Sequence, residues 1–89
     1  MNIKGNTILI TGGATGIGRA LAESFLNAGN EVIVCGRRES RLQEMKARNP
    51  EIHYKVCDIS NENDRKELFS WVAENFEGLN ILINNAGIQ

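Results

Sequence analysis

The 89-residue chain is poor in the residues that staple or rigidify small proteins, with one proline, one histidine and two cysteines. With a lone His53 and no metal-ligand spacing between Cys35 and Cys57, a metal site is excluded, and two thiols do not make a disulfide scaffold. Reduced cysteines in a cytoplasmic protein are the reading that remains. Charge of one sign is missing too. Ten basic residues stand against eleven acidic ones, a net charge of -1, which gives no electrostatic basis for binding nucleic acid or an anionic membrane. No apolar run nears the ~20 residues of a membrane span, and the N-terminus has no signal-peptide layout. Repeats, low-complexity tracts and internal linkers are absent. At 42% hydrophobic and 24% charged residues the composition is that of an ordered globular chain, long enough for one small domain.

Glycine, by contrast, is abundant in one place. The stretch Thr11-Gly12-Gly13-Ala14-Thr15-Gly16-Ile17-Gly18 holds four glycines and follows the apolar run Ile8-Leu9-Ile10. Around it strand-like and helix-like segments alternate. Thr7–Ile10 reads as a strand buried on both faces. Ile17, Leu21, Phe25 and Ala28 recur at helical spacing, and Gly29 supplies a C-terminal cap. Val32-Ile33-Val34 is a second buried strand. A short helix follows, with Ser40 and Gln43 at capping-box spacing, Leu42 and Met45 as its apolar stripe, and Pro50 beyond its end. Ile52, Tyr54 and Val56 alternate with His53 and Lys55, the pattern of a half-exposed edge strand, which turns His53 toward solvent. Ser60 or Asn61 caps a third helix, whose apolar face is Leu68, Trp71, Val72 and Phe76, and Gly78 stops it. Ile81-Leu82-Ile83 is a fourth strand.

The β-α-β-α-β-α-β order predicts an α/β fold, a partial Rossmann-type doubly wound parallel sheet with right-handed crossovers and strand order 3-2-1-4. The first strand is then central, and the glycine loop opens at the topological switch point. A backbone turn leading into a helix presents unpaired N–H groups and the positive dipole end, a ready anion site once side chains are cleared. Gly12 permits the tight turn, Gly16 a close approach, and Gly18 the packing of helix on strand. A nucleoside-triphosphate loop is excluded, because Arg19-Ala20 stand where Lys-Ser/Thr are required. The glycine interval is also one residue longer than G-x-G-x-x-G. A methyltransferase would meet an acid after the second strand, and none stands there. Glycines that merely turn the chain are the bland alternative.

Thr11-Gly12-x-x-x-Gly16-x-Gly18, Asp58 after the third strand and Asn84-Asn85-Ala86-Gly87 at the end of the fourth together resemble the short-chain dehydrogenase/reductase family. The resemblance runs from residue 1 to 89 and makes the chain the N-terminal part of a dinucleotide-binding domain. It implies that Gly12, Gly13, Ala14, Thr15, Gly16, Ile17 and Gly18 wrap the pyrophosphate and adenosine ribose of a nicotinamide cofactor. Asp58 would accept from the adenine amino group beside the backbone of Ile59, and Asn85, Ala86 and Gly87 would line the ribose. At the end of the second strand, where an acid would hold a ribose 2′-hydroxyl, stands Cys35-Gly36-Arg37-Arg38. Gly36 removes that acid, and two guanidinium groups suit a 2′-phosphate, so NADP is favoured over NAD, with Arg37 ahead of Arg38 because Glu39 can neutralise the latter. Cys35 and Cys57 read as small buried hydrophobes beside the adenine.

What the resemblance asks for and the 89 residues lack is the catalytic set, a serine and a Tyr-x-x-x-Lys pair. The only tyrosine is Tyr54, and four places on stands Asp58. No catalytic residue is therefore assigned. The expectation is the N-terminal portion of an NADP(H)-dependent oxidoreductase that interconverts a carbonyl and an alcohol, a homo-oligomer at full length. The 89 residues alone are expected to be inactive. A dinucleotide-binding module without enzymatic activity and an inactive fragment are the alternatives.

Overall fold

A computed structural model of the protein describes residues 5–12, 14 and 16–85. Four strands and three helices alternate: β1 (Thr7–Thr11), α1 (Gly16–Asn27), β2 (Glu31–Gly36), α2 (Glu39–Arg48), β3 (His53–Val56), α3 (Glu62–Asn75) and β4 (Ile81–Asn84). The sheet has the order β3-β2-β1-β4, and all its pairings are parallel. This is the expected topology.

Strand periodicity sorts the core into two layers. Ile8, Ile10, Val32 and Val34 point to one face, where they meet Ala22 of α1 and Leu42 and Met45 of α2. Leu9, Ile33 and Cys35 point to the other, against Leu68 and Val72 of α3. Chain direction explains the division. The path moves outward from β1 to β3 and then returns past β1 to β4, and a right-handed crossover run in the reverse direction puts its helix on the opposite face. Each fully buried Ile, Leu or Val contributes on the order of 1.5–3 kcal/mol of transfer free energy.

Helix ends follow local chemistry. In α1 the N–H of Gly29 bonds to the carbonyl of Leu26 (3.1 Å) and that of Asn30 to Phe25 (3.2 Å), a Schellman motif that places Gly29 at φ 95°. Two expectations need correction. The buried face of α1 runs through Gly18 and Ala22, with Leu21, Phe25 and Leu26 half-buried, whereas Ile17 is 65% exposed and Ala28 is also outside. Gly18 brings the helix close to the sheet, and this rotates Ile17 outward. Ser40 caps nothing, because α2 begins at Glu39 with Arg38 as its N-cap residue and no side-chain bond to the cap. Only Arg37 and Arg38 separate β2 from α2, and Ser40 falls inside the first turn of the helix. At α3 the two capping candidates are resolved, since the Asn61 side chain accepts from the N–H of Asp64 at 3.0 Å.

β3 and β4 are the sheet edges. His53 is half-exposed and not simply in solvent, for it meets the edge of the Phe76 ring (centroids 4.8 Å apart) and lies 3.9 Å from the Glu31 carboxylate. On β4, Leu82 is 53% exposed. At the amino end of the sheet a cluster of asparagines ties three strand starts together. Asn30 accepts from the backbone and side-chain N–H groups of Asn6, and Asn80 donates to Asn6 (2.7 Å) while accepting from the N–H of Thr7 (2.8 Å).

Candidate functional site

The carboxyl ends of β1, β2 and β3 converge on a cavity of about 210 Å³, lined by Thr11, Gly12, Cys35, Gly36, Arg37, Cys57, Asp58, Ile59 and Ser60. It opens at the carboxyl edge of the sheet beside the switch point, which falls between β1 and β4.

Gly12 takes the chain off β1 at φ 68°, a conformation costly for any residue with a Cβ, and its N–H bonds to the carbonyl of Cys35 at 2.9 Å. The turn is therefore fastened to β2. A second fastening comes from β4. The Thr11 hydroxyl donates to the Asn84 side chain (2.9 Å) and accepts from the N–H of Asn85 (3.1 Å), and the Asn85 amide donates to the carbonyl of Gly12 (3.2 Å). The two asparagines of the fourth-strand motif thus lock the start of the glycine turn. Beyond it Gly16 stands at the start of α1 with open space where a Cβ would project, while Gly18 is buried. Gly13, Thr15, Ala86 and Gly87 lie outside the described residues.

On the far side of the cavity Asp58 is held in a turn. Its Oδ1 accepts from both the hydroxyl (2.6 Å) and the N–H (3.0 Å) of Ser60. These bonds favour the carboxylate and hold its pKa below the usual value, against a smaller opposing effect of desolvation, and the charge of Arg37 adds in the same direction. The turn is braced from behind by α3. Asp64 accepts from the N–H of Asp58 (2.8 Å), and Arg65 donates to the carbonyl of Ile59 (2.7 Å). The carboxylate is thus oriented, ionised and able to accept from a donor in the cavity.

Between these walls stands Gly36. A Cβ built there would meet only Leu42 Cδ2, at 3.9 Å, so the glycine leaves room beside the cavity that a side chain could fill. Arg37 lines the cavity and is exposed, and among the described residues it forms no ion pair. Arg38 does not line it, and no ion pair with Glu39 is present. Cys35 and Cys57 are free thiols, 1% and 3% exposed, and form part of the cavity wall. The structure therefore brings together Gly12, Arg37, Asp58 and Ile59 around one cavity. Asn85 lies behind the turn, Gly16 and Ile17 stand on the outer start of α1, and Arg38 is not part of the cavity wall.

Sequence reasoning missed Ser60, Asp64 and Arg65. Asp-x-Ser and Asn-x-x-Asp spacings at a helix start are the signal that could have found them. Among the described residues no helix is long and apolar enough to cross a membrane, and no group of three metal-ligating side chains occurs.

A parallel sheet of this order, with a glycine turn at its switch point, defines a Rossmann-type α/β protein. The profile described as short chain dehydrogenase matches residues 6–89. An uncharacterized oxidoreductase of Bacillus subtilis (strain 168), DltE, is 51% identical over the whole chain. The crystal structure of 2-keto-3-deoxy-D-gluconate dehydrogenase from Streptococcus agalactiae superposes with a TM-score of 0.89 at 27% identity over 99% of the chain. The Pseudomonas aeruginosa RhlG/NADP active-site complex does so with a TM-score of 0.86 at 31% identity over 93%. The chain belongs to the short-chain dehydrogenase/reductase family of oxidoreductases. It spans about a third of the length of these relatives, 35% in each case.

Proposed function

We propose that residues 1–89 are the N-terminal, cofactor-binding part of a cytoplasmic NADP(H)-dependent oxidoreductase that interconverts a carbonyl and an alcohol. The observation that carries this reading is the cavity wall formed by Gly36, Arg37 and Asp58. Gly36 leaves space where an acid would bind a 2′-hydroxyl and repel a phosphate, and the neighbouring guanidinium of Arg37 has no ion-pair partner among the described residues. In this reading Asp58 and the backbone of Ile59 receive the adenine, and Arg37, with Arg38 nearby, receives the 2′-phosphate. Gly12, Gly13, Ala14, Thr15, Gly16, Ile17 and Gly18 receive the pyrophosphate and ribose, with Asn85, Ala86 and Gly87 on the other side. The cofactor, when bound, supplies or accepts a hydride. These residues bind and orient it. Proton transfer falls to residues outside the 89, in a full-length enzyme that is a homo-oligomer. The NADP complex of a family relative with the same fold supports the choice of cofactor. Titration of the full-length protein with NADPH and NADH tests the reading, which requires tighter binding of NADPH. Equal affinity, or a preference for NADH, contradicts it.

A further inference from the structure

Two thiols meet in the wall of the cavity. Cys35 lies opposite Lys55 in the β2–β3 register, and the N–H of Cys57 continues the ladder by bonding to the carbonyl of Gly36 at 2.8 Å. Cys57 is thus two positions beyond the residue opposite Cys35, on the same face of the sheet, and both belong to the core layer under α3. Both side chains lie in that layer and line the same cavity, and the Cys57 thiol donates to the carbonyl of Asp64 at 3.6 Å.

That arrangement is poor for a disulfide. A step of one strand across and two residues along separates the Cα atoms by roughly 8 Å, beyond the ~4.4–6.8 Å that a disulfide spans, so oxidation would have to move both strand ends. It is also poor for reagents that need a thiolate. Burial, with the neighbouring Cys57 second, pushes the Cys35 thiol up to about 12, and burial followed by the charge of Asp64 raises Cys57. An atom placed between the two sulfurs avoids both difficulties. It spans the gap without moving the backbone, and a neutral product places no charge in the core.

We propose that Cys35 and Cys57 form a dithiol site for trivalent arsenicals and kindred thiophilic species, set in the wall of the cavity. For an organoarsenic oxide the step balances as R–As=O + 2 RSH → R–As(SR)₂ + H₂O. Two As–S bonds form, both thiol protons leave with the oxide oxygen as water, and arsenic stays trivalent, so no oxidant is needed. Because both sulfurs belong to the wall that also holds Gly12, Arg37 and Asp58, occupation of the site closes the cavity to other ligands. Only this last consequence rests on the cofactor reading above.

The test treats the full-length protein with phenylarsine oxide and locates the adduct by peptide mapping. The expected result is one arsenic joining the peptide that contains Cys35 to the one that contains Cys57. It should survive excess monothiol, be reversed by a dithiol, and be lost in both Cys35→Ala and Cys57→Ser, while iodoacetamide labels neither cysteine at a comparable rate. An adduct retained in either variant, or rapid alkylation of either thiol, overturns the site. Protection by saturating NADPH is read separately. If the bridge forms and NADPH does not slow it, the dithiol stands and the cofactor reading fails, whereas absence of the bridge from a protein that binds NADPH overturns the dithiol alone.

Discussion

Gly36 and Arg37 are consecutive, and under the proposed function they divide one task, the first by leaving space and the second by supplying charge. Arg37→Ala in the full-length protein should weaken NADPH binding by about 1.5–3 kcal/mol, the range for hydrogen bonds to charged groups, and leave NADH nearly unchanged. Equal losses in the two titrations would show that Arg37 does not read the 2′-phosphate. Gly36→Asp is the complementary change. Its Cβ meets only Leu42, at an ordinary contact distance, so a side chain can start there without a clash. It should lower NADPH affinity at least about tenfold and raise that for NADH, since it repels the phosphate and accepts from the hydroxyl. Ser60 acts on a third residue. Both its donors bond to Oδ1 of Asp58, and Ser60→Ala removes the hydroxyl, so the Asp58 pKa should rise toward its ordinary value in an NMR titration. A carboxylate with a depressed folded-state pKa adds stability that is present above its unfolded value and lost as pH falls through the folded one. The variant's deficit in denaturant unfolding should therefore appear at neutral pH and fade below the ordinary carboxylate range. A deficit independent of pH would mean that the bond does not act through Asp58 ionisation.

At the scale of elements, sequence patterns carried the topology further than the details of the helix ends. Runs such as Ile8-Leu9-Ile10 and Val32-Ile33-Val34 identified buried strands because every side chain in them must face a covered layer, and the observed strands extend these runs to Thr11 and Gly36. The strand order followed from the edge-like pattern of β3. The glycine motif placed Gly18 against the sheet, as observed, but hydrophobic spacing put Ile17 and Ala28 on the buried face of α1, because such spacing cannot register a missing side chain. The capping box at Ser40 failed because the helix begins at Glu39, which places Ser40 inside the first turn and not at its cap. In the candidate site, Gly12, Arg37 and Asp58 were legible singly. Of the bonds that hold the site, those from Ser60, Asp64 and Arg65 are local, within six residues, and their spacing was open to reading, whereas the bond from Asn85 to Gly12 spans 73 residues and lies in no local window. Thr11 is the clearest example, joining β1 to β4 across 73 residues of chain. Thr11→Val keeps the shape and removes the bonds of the hydroxyl to Ile83, Asn84 and Asn85, leaving the Asn84 side chain without this donor. The expected loss is about 1–3 kcal/mol in urea unfolding, with little change in the dependence on denaturant. A loss below about 0.5 kcal/mol would show that the latch does not stabilise the sheet.

For the molecule as a whole, β4 matters most. It pairs with β1 along one side only, and its Leu82 is exposed on the face that α3 covers elsewhere, where Phe69 is also exposed. A strand edge with unpaired N–H and C=O groups beside exposed apolar side chains is a template for association. The 89-residue chain made by itself is therefore expected to self-associate with rising concentration in sedimentation experiments. It is also expected to show no carbonyl reduction with NADPH. Binding a dinucleotide positions a hydride but does not protonate the substrate oxygen, and general acid catalysis typically contributes ~10²–10⁴-fold. The two conceivable donors are misplaced. Tyr54 packs against the core layer of α1 and α2, while His53 opens β3 at the end of the strand away from the cavity and is engaged by Phe76. Neither is in a position to serve a substrate at the carboxyl ends of β1 and β4. Loss of absorbance from NADPH in the presence of a panel of ketones, followed beside sedimentation of the same sample, checks both halves. A stable monomer at high concentration would mean that the β4 edge and Leu82 are not sufficient to drive association, and measurable turnover would mean that a proton donor exists within these 89 residues.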